Sequence, residues 1–351
     1  MDYNRILGMN IRLPVSFGGI SKTYNETVGV DISKLTIDVH LHLINQHKQF
    51  ANNAKGFKAL LAWIKKHKVK SDEVYFCFEH TGLYSLSLAA FLAEKNILFS
   101  MVSGLEVKRS MGVVRGKNDK VDAARIAEYA HLRRDKLKKT VLPSKEVLKI
   151  KNLLAIRERM VTQKGGYKAS CKEYSSVLKK SEVKVLIHTH SKLIKVLAQE
   201  IKEVEAEIMK IIRSDETINN LYKLVTSIKG VGFVLGASLI VTTNCFTAFE
   251  NARQYACYTG IAPFPFQSGT SIKGNTKVSK MGNQNMKKLL LMGASSARQH
   301  DPEIRQYYLK RIEKGKNKMS TLNVIKNKLI HRVFAVVKRG TPYLSIAKYA
   351  S

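Results

Sequence analysis

Apolar and polar positions change rhythm several times along the chain, and each rhythm predicts an element. Over residues 27–41, Val28, Val30 and Ile32 form one apolar stretch. Leu35, Ile37, Val39 and Leu41 then alternate with Thr36, Asp38 and His40. The second stretch has the period of two that a half-buried strand requires, and Ser33-Lys34 separates the two as a hairpin would. Residues 46–51 can supply a third strand. Beyond them the pattern reads as a helix over 56–66, a strand over 73–78, a helix over 84–94 and a strand over 97–102. A further helix starts near Asp119, carries Ala123, Ala124, Ile126 and Ala127, and is ended by Pro143. Strands followed by alternating helices and strands predict a mixed sheet covered by helices.

Downstream the rhythm is helical throughout. A helix is expected from Lys145 to about Met160, and over 193–212 Leu197, Ile201, Val204, Ile208 and Ile211 recur at alternating steps of four and three, the spacing of a coiled-coil seam. An intramolecular hairpin with the preceding helix and an oligomer contact fit this seam equally. Past Ser214, Gly230-Val-Gly232 lies between two apolar helical patterns like the turn of a helix-hairpin-helix, whose second helix offers free N–H groups to a phosphate. The organisation predicted is a leader (1–26, with Pro14, Gly18 and Gly19), an α/β domain (27–142), a helical coiled-coil-like spacer (143–214) and a mainly α-helical C-terminal domain with a helix-hairpin-helix-like turn (215–351).

Charge narrows the partners. The chain of 351 residues carries 60 Lys and Arg against 27 Asp and Glu, a formal net charge of +33, which favours a large polyanion. From Arg253 onward 19 Lys and Arg face three acids, Asp301, Glu303 and Glu313, so the last third is the expected nucleic-acid face. No apolar run is long enough for a membrane span and no apolar core marks a signal peptide, so a cytoplasmic, nucleoid-associated protein is expected. Cys77, Cys171, Cys245 and Cys257 show neither metal-ligand nor disulfide spacing and read as ordinary thiols.

Candidate chemistry lies in four acids. Asp31 and Glu79 each end an apolar strand, and Asp119 and Asp122 stand three apart at the start of a helix, on one face. Singly they read as a helix cap, a first-turn acid and loop residues. Together they occur in the chain order by which a ribonuclease H-like sheet gathers four carboxylates. Such an all-oxygen set suits Mg²⁺ or Mn²⁺, and paired ions ~4 Å apart can stabilise both oxygens of an in-line phosphoryl displacement. Asp38 and Glu106 are weaker competitors for a place in the set.

The segments Gly-Val-Asp31-Ile-Ser-Lys, Glu79-His-Thr-Gly-Leu-Tyr and Lys117-Asn-Asp119-Lys120-Val-Asp122-Ala-Ala-Arg125-Ile-Ala resemble the RuvC-like domain of the DEDD insertion-sequence transposases, serine-dependent recombinases associated with bridge RNA guides. In the C-terminal third, Gly260-Ile-Ala-Pro263 followed by Ser268-Gly269 is similar to that family's transposase domain, in which the serine is the nucleophile. The resemblance implies a metal-assisted phosphoserine intermediate, double-stranded element and target DNA, a structured noncoding guide RNA and a homo-oligomer, a tetramer if the helical seam builds it. Lys117, Lys120, Arg125, Gly230, Gly232, Lys273, Lys277, Lys280, Asn283 and Lys287 are the expected nucleic-acid contacts. By themselves, the residues around Ser268 read as a Pro- and Gly-bounded loop that exposes a hydroxyl beside phosphate-binding groups. Rival readings are a RuvC-like nuclease or junction resolvase that uses water, a non-enzymatic nucleic-acid-binding protein, and a tyrosine recombinase using Tyr255, Tyr258 or Tyr343.

Overall fold

The computed structural model describes residues 24–70, 73–110, 119–268, 272–278 and 281–344; for Ser268, Lys273 and Lys277 it describes the backbone. Lys117 and Lys280, and the leader before Tyr24, lie outside the described residues. The chain divides into two compact units, one ending at Leu142 and the other beginning at Pro143.

The first unit opens with an antiparallel meander, β1 (Glu26–Ile32), β2 (Thr36–Leu41) and β3 (Gln46–Ala51). It continues through α1 (Ala54–Lys66), β4 (Val74–Glu79), α2 (Leu83–Glu94), β5 (Leu98–Val102), α3 (Gly104–Ser110) and α4 (Asp119–Leu132). The sheet order is β3-β2-β1-β4-β5, with β4 parallel to β1 and β5 parallel to β4. That mixed five-stranded sheet with helices fits the ribonuclease H-like expectation. β1 takes the centre because its apolar residues can be buried on both sides, and Val28, Val30, Ile37, Val39, Leu41, Phe76 and Phe78 form one face with Phe57, Leu60 and Ile64 of α1 and Leu88 and Leu92 of α2. Glu26, 1% exposed, is tolerated because its carboxylate accepts the N–H groups of Thr27, Leu43 and Ile44. α1 starts two residues before the apolar pattern does, since the Asn53 side chain caps it at Gly56 N–H.

The opposite face receives α4, and Gly29 makes that possible. A Cβ there would run into the Ala123 carbonyl oxygen and the Ala127 backbone nitrogen. Without one, the helix lies directly on β1 and its first turn comes to the strand's C-terminal end.

The second unit begins with a helical hairpin, α5 (Lys145–Val177) and α6 (Lys180–Ser214). α5 runs well past Met160, although its sequence there turns polar and includes Gly165-Gly166. Contact with α6, including Tyr167 against His190, sustains it where its own propensity would not. The seam is filled from within the chain at its C-terminal end. Ile208 and Ile212 share a core with Val147, Ile150 and Leu154 of α5, and Arg157 pairs with Glu205 at 2.6 Å. The helices expected as a spacer therefore pack into the same unit as the C-terminal elements.

Those elements are α7 (Glu216–Thr226), α8 (Phe233–Thr243), α9 (Ala252–Tyr258), β6 (Pro263–Ser268), β7 (Ile272–Val278), α10 (Gln284–His300), α11 (Pro302–Glu313) and α12 (Lys318–Arg339). Their core gathers Tyr255, Leu290, Ala294, Ile325, Leu329, Ile330 and Val333. The stretch around Ser268, expected as a loop, is instead an antiparallel ribbon, β6 on β7 from Pro263↔Val278 to Ser268↔Ile272. Pro263 and Pro265 masked it in the sequence. A two-stranded ribbon tolerates prolines because each strand has a free edge, and the register shifts between Phe264 and Phe266.

Candidate active site

Asp31 and Glu79 emerge side by side. The last register pair of the parallel strands is Val30↔Phe78, so the next residues on each are these two acids, on strands ~4.8 Å apart. Alternation puts Asp31 on the face of Gly29, which is the face that α4 covers. Asp119 and Asp122 occupy the first turn of α4. One helix start and two strand ends thus deliver the four acids to one end of the sheet.

Their electrostatics report the crowding. Asp31 is half-buried and its carboxyl is pushed above the usual carboxylate range, first by burial and then by the negative charges of Asp119 and Asp122, with a smaller push from Asp38 and partial relief from the Ile32 N–H. Asp122 is held by Arg125 at 2.9 Å, and Glu79 leans onto α3, where Gly104 leaves room for its carboxylate. Among the described residues no three His, Cys, Asp or Glu side chains close on one point. The donors that β1, β4 and α4 bring to this end of the sheet are all carboxylate oxygens, the set that a hard divalent ion takes. The Thr81 hydroxyl, two residues past Glu79, is buried and has no hydrogen-bond partner among the described residues. The residues present therefore fit a hard divalent cation.

Both weaker competitors are engaged elsewhere. Asp38 stands opposite Asp31 in the β1–β2 register but is bound by His47 and Gln49, each at 2.9 Å, and Glu106 accepts the Tyr129 hydroxyl at 2.9 Å.

In the second unit, Ser268 is the last residue of β6, and Lys273 and Lys277 lie on β7. Gly230 packs against Gly293 of α10, whereas Gly232 is exposed at the start of α8. Asn283 is 5% exposed; its side-chain oxygen caps α10 at Met286 N–H and its amide donates to the Tyr258 hydroxyl. Lys287 is half-exposed on the first turns of α10, and in the first unit Lys120 is exposed at the start of α4. Of the residues of the tyrosine alternative, packing removes Tyr255, while Tyr258 and Tyr343 are half-exposed. Tyr255 is fully buried against Thr242 with its hydroxyl pushed far above the usual range by burial, and the Tyr343 ring lies under Arg332. Lys326 on α12 is 5% exposed, and nothing in the sequence marked it.

Residues 28–174 match the transposase domain DEDD_Tnp_IS110, and residues 222–309 match the Transposase IS116/IS110/IS902 family. The chain is 28% identical to the pilin gene-inverting protein of Moraxella bovis over 92% of this chain and 98% of that protein, and equally to its counterpart from Moraxella lacunata. It is also 32% identical over 144 residues to a protein of insertion element IS110 from Streptomyces coelicolor, covering 41% of this chain and 34% of that one.

Proposed function

The chain belongs to the IS116/IS110/IS902 family of transposases, and from that premise we propose that it cuts and rejoins DNA with Ser268 as nucleophile and Asp31, Glu79, Asp119 and Asp122 as holders of a divalent cation. The observation that carries this reading is the placement of Asp119 and Asp122, in the first turn of α4, near Asp31 at the end of β1, where burial first and these two charges second raise the Asp31 carboxyl. Similarity along almost the whole length to proteins named for gene inversion supports rearrangement of DNA segments rather than cutting alone.

In the reaction proposed, the Ser268 oxygen forms a bond to phosphorus as the bond from phosphorus to one deoxyribose oxygen breaks. The serine gives up its proton and the departing deoxyribose oxygen gains one. Strand exchange comes next, and a deoxyribose hydroxyl of the new strand attacks the phosphoserine and frees Ser268. A bound Mg²⁺ or Mn²⁺ would polarise the phosphate and stabilise its entering and leaving oxygens. Asp31, Glu79, Asp119 and Asp122 would hold that cation, and Arg125 keeps Asp122 in position through their ion pair. The net charge of +33 supports both DNA and a structured noncoding RNA guide as partners, and exchange of two duplexes calls for several copies of the chain.

The test is to trap protein on labelled element-end DNA with Mg²⁺ and the flanking noncoding RNA. A covalent adduct lost in Ser268→Ala and kept in Tyr258→Phe is expected. Free cleaved ends from the Ser268→Ala protein would instead establish a nuclease that uses water.

A further inference from the structure

α12 turns a lysine inward. Lys326 is 5% exposed, on the face that also carries Leu322, Leu329, Ile330 and Val333 into the core. Burying an ammonium is unfavourable unless an acid or several acceptors meet it. Among the described residues, no acid pairs with Lys326 and no acceptor is bound to its Nζ. Its charged neighbour is Lys287 on α10, of the same sign. The other helices packed on α12, namely α7, α9 and α11, bring no charge to bear on it among the described residues. Burial first and Lys287 second lower its ammonium to about 8.

The place is close to the base of the ribbon that ends in Ser268. One helical turn before Lys326, the Asn323 side chain donates to the carbonyl of Ile261 at 3.0 Å, two residues ahead of β6. Lys287 lies just beyond the Asn283-capped start of α10, whose neighbour Gly282 packs directly on Gly260. A leucine or methionine at 326 would fill the same space without the electrostatic cost. The Lys326 stem is buried, its charge lies within reach of Lys287 of the same sign, and no counter-charge among the described residues meets it, so an anion would complete the pair.

We propose that Lys287 and Lys326 form a binding site for one backbone phosphodiester of a nucleic-acid strand. The identity of the anion rests on the reading of the protein as one that acts on DNA. The lysine pair itself does not, and neither lysine belongs to the acid cluster or to the Ser268 ribbon. Phosphate positioning at this site fixes the strand relative to the base of the ribbon and reads no sequence.

Equilibrium binding of a fluorescein-labelled short duplex to the full chain, monitored by anisotropy in EDTA, tests the site without any chemistry. For Lys326→Met the slope of log K against log salt is expected to fall by about 0.9, one lost phosphate contact on duplex DNA. Wild-type affinity is expected to drop with rising pH above about 8, approaching tenfold per pH unit as Lys326 loses its proton. Lys326→Arg should keep the affinity and the slope and lose that pH dependence, since guanidinium stays charged. The arginine variant also covers the case in which the methionine variant fails to fold. An RNA duplex of the same sequence, run in parallel, shows which polymer supplies the phosphate, and a changed slope with either one upholds the site. A wild-type slope for folded Lys326→Met with both duplexes, or a retained pH dependence in Lys326→Arg, overturns the proposal. Loss of the Ser268 adduct reading would leave these binding results untouched, so the two failures are distinguishable.

Discussion

Replacing Gly29 with alanine is expected to disable the acid cluster without touching an acid. A Cβ at that position would lie 2.7 Å from the Ala127 Cα, where ordinary van der Waals contact begins at 3.4 Å, and closer still to the Ala123 oxygen and Ala127 nitrogen. These are backbone atoms of α4, so no side-chain rotation relieves the clash, and the helix must retreat by roughly 1 Å. Overpacking of this kind costs about 1–3 kcal/mol, which for a unit of this size lowers the Tm by roughly 3–12 °C. The same retreat carries Asp119 and Asp122 away from Asp31, and a misplacement of ~1 Å in a reacting constellation costs on the order of 10²-fold in rate. Two assays read the two effects: thermal melting in EDTA, and cleavage of labelled element-end DNA per folded molecule. Adding Ala127→Gly should rescue neither, because the contacts are to the backbone. A Gly29→Ala protein with wild-type Tm and rate would refute the placement of α4 on β1. A lowered Tm with an unchanged rate would remove Asp119 and Asp122 from the reaction.

Three further outcomes rest on single environments. Asp31→Asn should abolish cleavage while raising the Tm of the metal-free protein near neutral pH, with the gain vanishing below about pH 4. The sign comes from the raised carboxyl of the folded state: its contribution is fully present below the unfolded pKa and is lost as pH rises through the folded one, and asparagine never loses it. Arg332→Met should cost about 2–4 kcal/mol in urea unfolding, because it strands Asp301, a buried acid that Arg332 binds at 2.6 Å while also reaching Glu303 at 2.7 Å. A thiol reagent should modify exposed Cys257 first and leave Cys77 unmodified in the folded protein, since burial both closes off that thiol and pushes it up; mass spectrometry of labelled peptides decides the order.

The meander and the alternation of helices and strands were legible because burial there obeys simple periods. Ile37, Val39 and Leu41 point into one core at every second residue, and that is all a period-two pattern asserts. The four acids were legible as a set because their chain order maps onto strand ends and a helix start. What each carboxylate does locally was not. The lean of Glu79 onto Gly104 depends on a residue 25 positions away in another element, and the Asp122–Arg125 pair has the spacing of any first-turn ion pair. The β6–β7 ribbon was hidden by Pro263 and Pro265, which read as breakers although a free edge accepts them. Lys326 was invisible for a different reason. α12 also carries Lys318, Lys328 and Lys338, and the packing of α7, α9, α10 and α11 on it decides which lysine is turned inward.

Asp31 and Lys326 obey one logic with opposite signs. Each is held beside charge of its own kind by elements whose positions are fixed by other contacts: α4 by its seat on Gly29, α12 by a core of Ile325, Leu329 and Val333. In both places the folded chain is less stable than an uncharged substitute would make it, and an opposite charge removes the deficit. A ligand that binds only the folded state stabilises that state by RT ln(1 + [L]/Kd). On the readings proposed above, the acids would take a hard cation and the lysines a phosphate, and a nucleic-acid strand with its metal ions would supply both charges. The cost accepted in each unit is thus a measure of selectivity, since neither cluster is relieved by the apolar or neutral surfaces that a folded chain meets elsewhere.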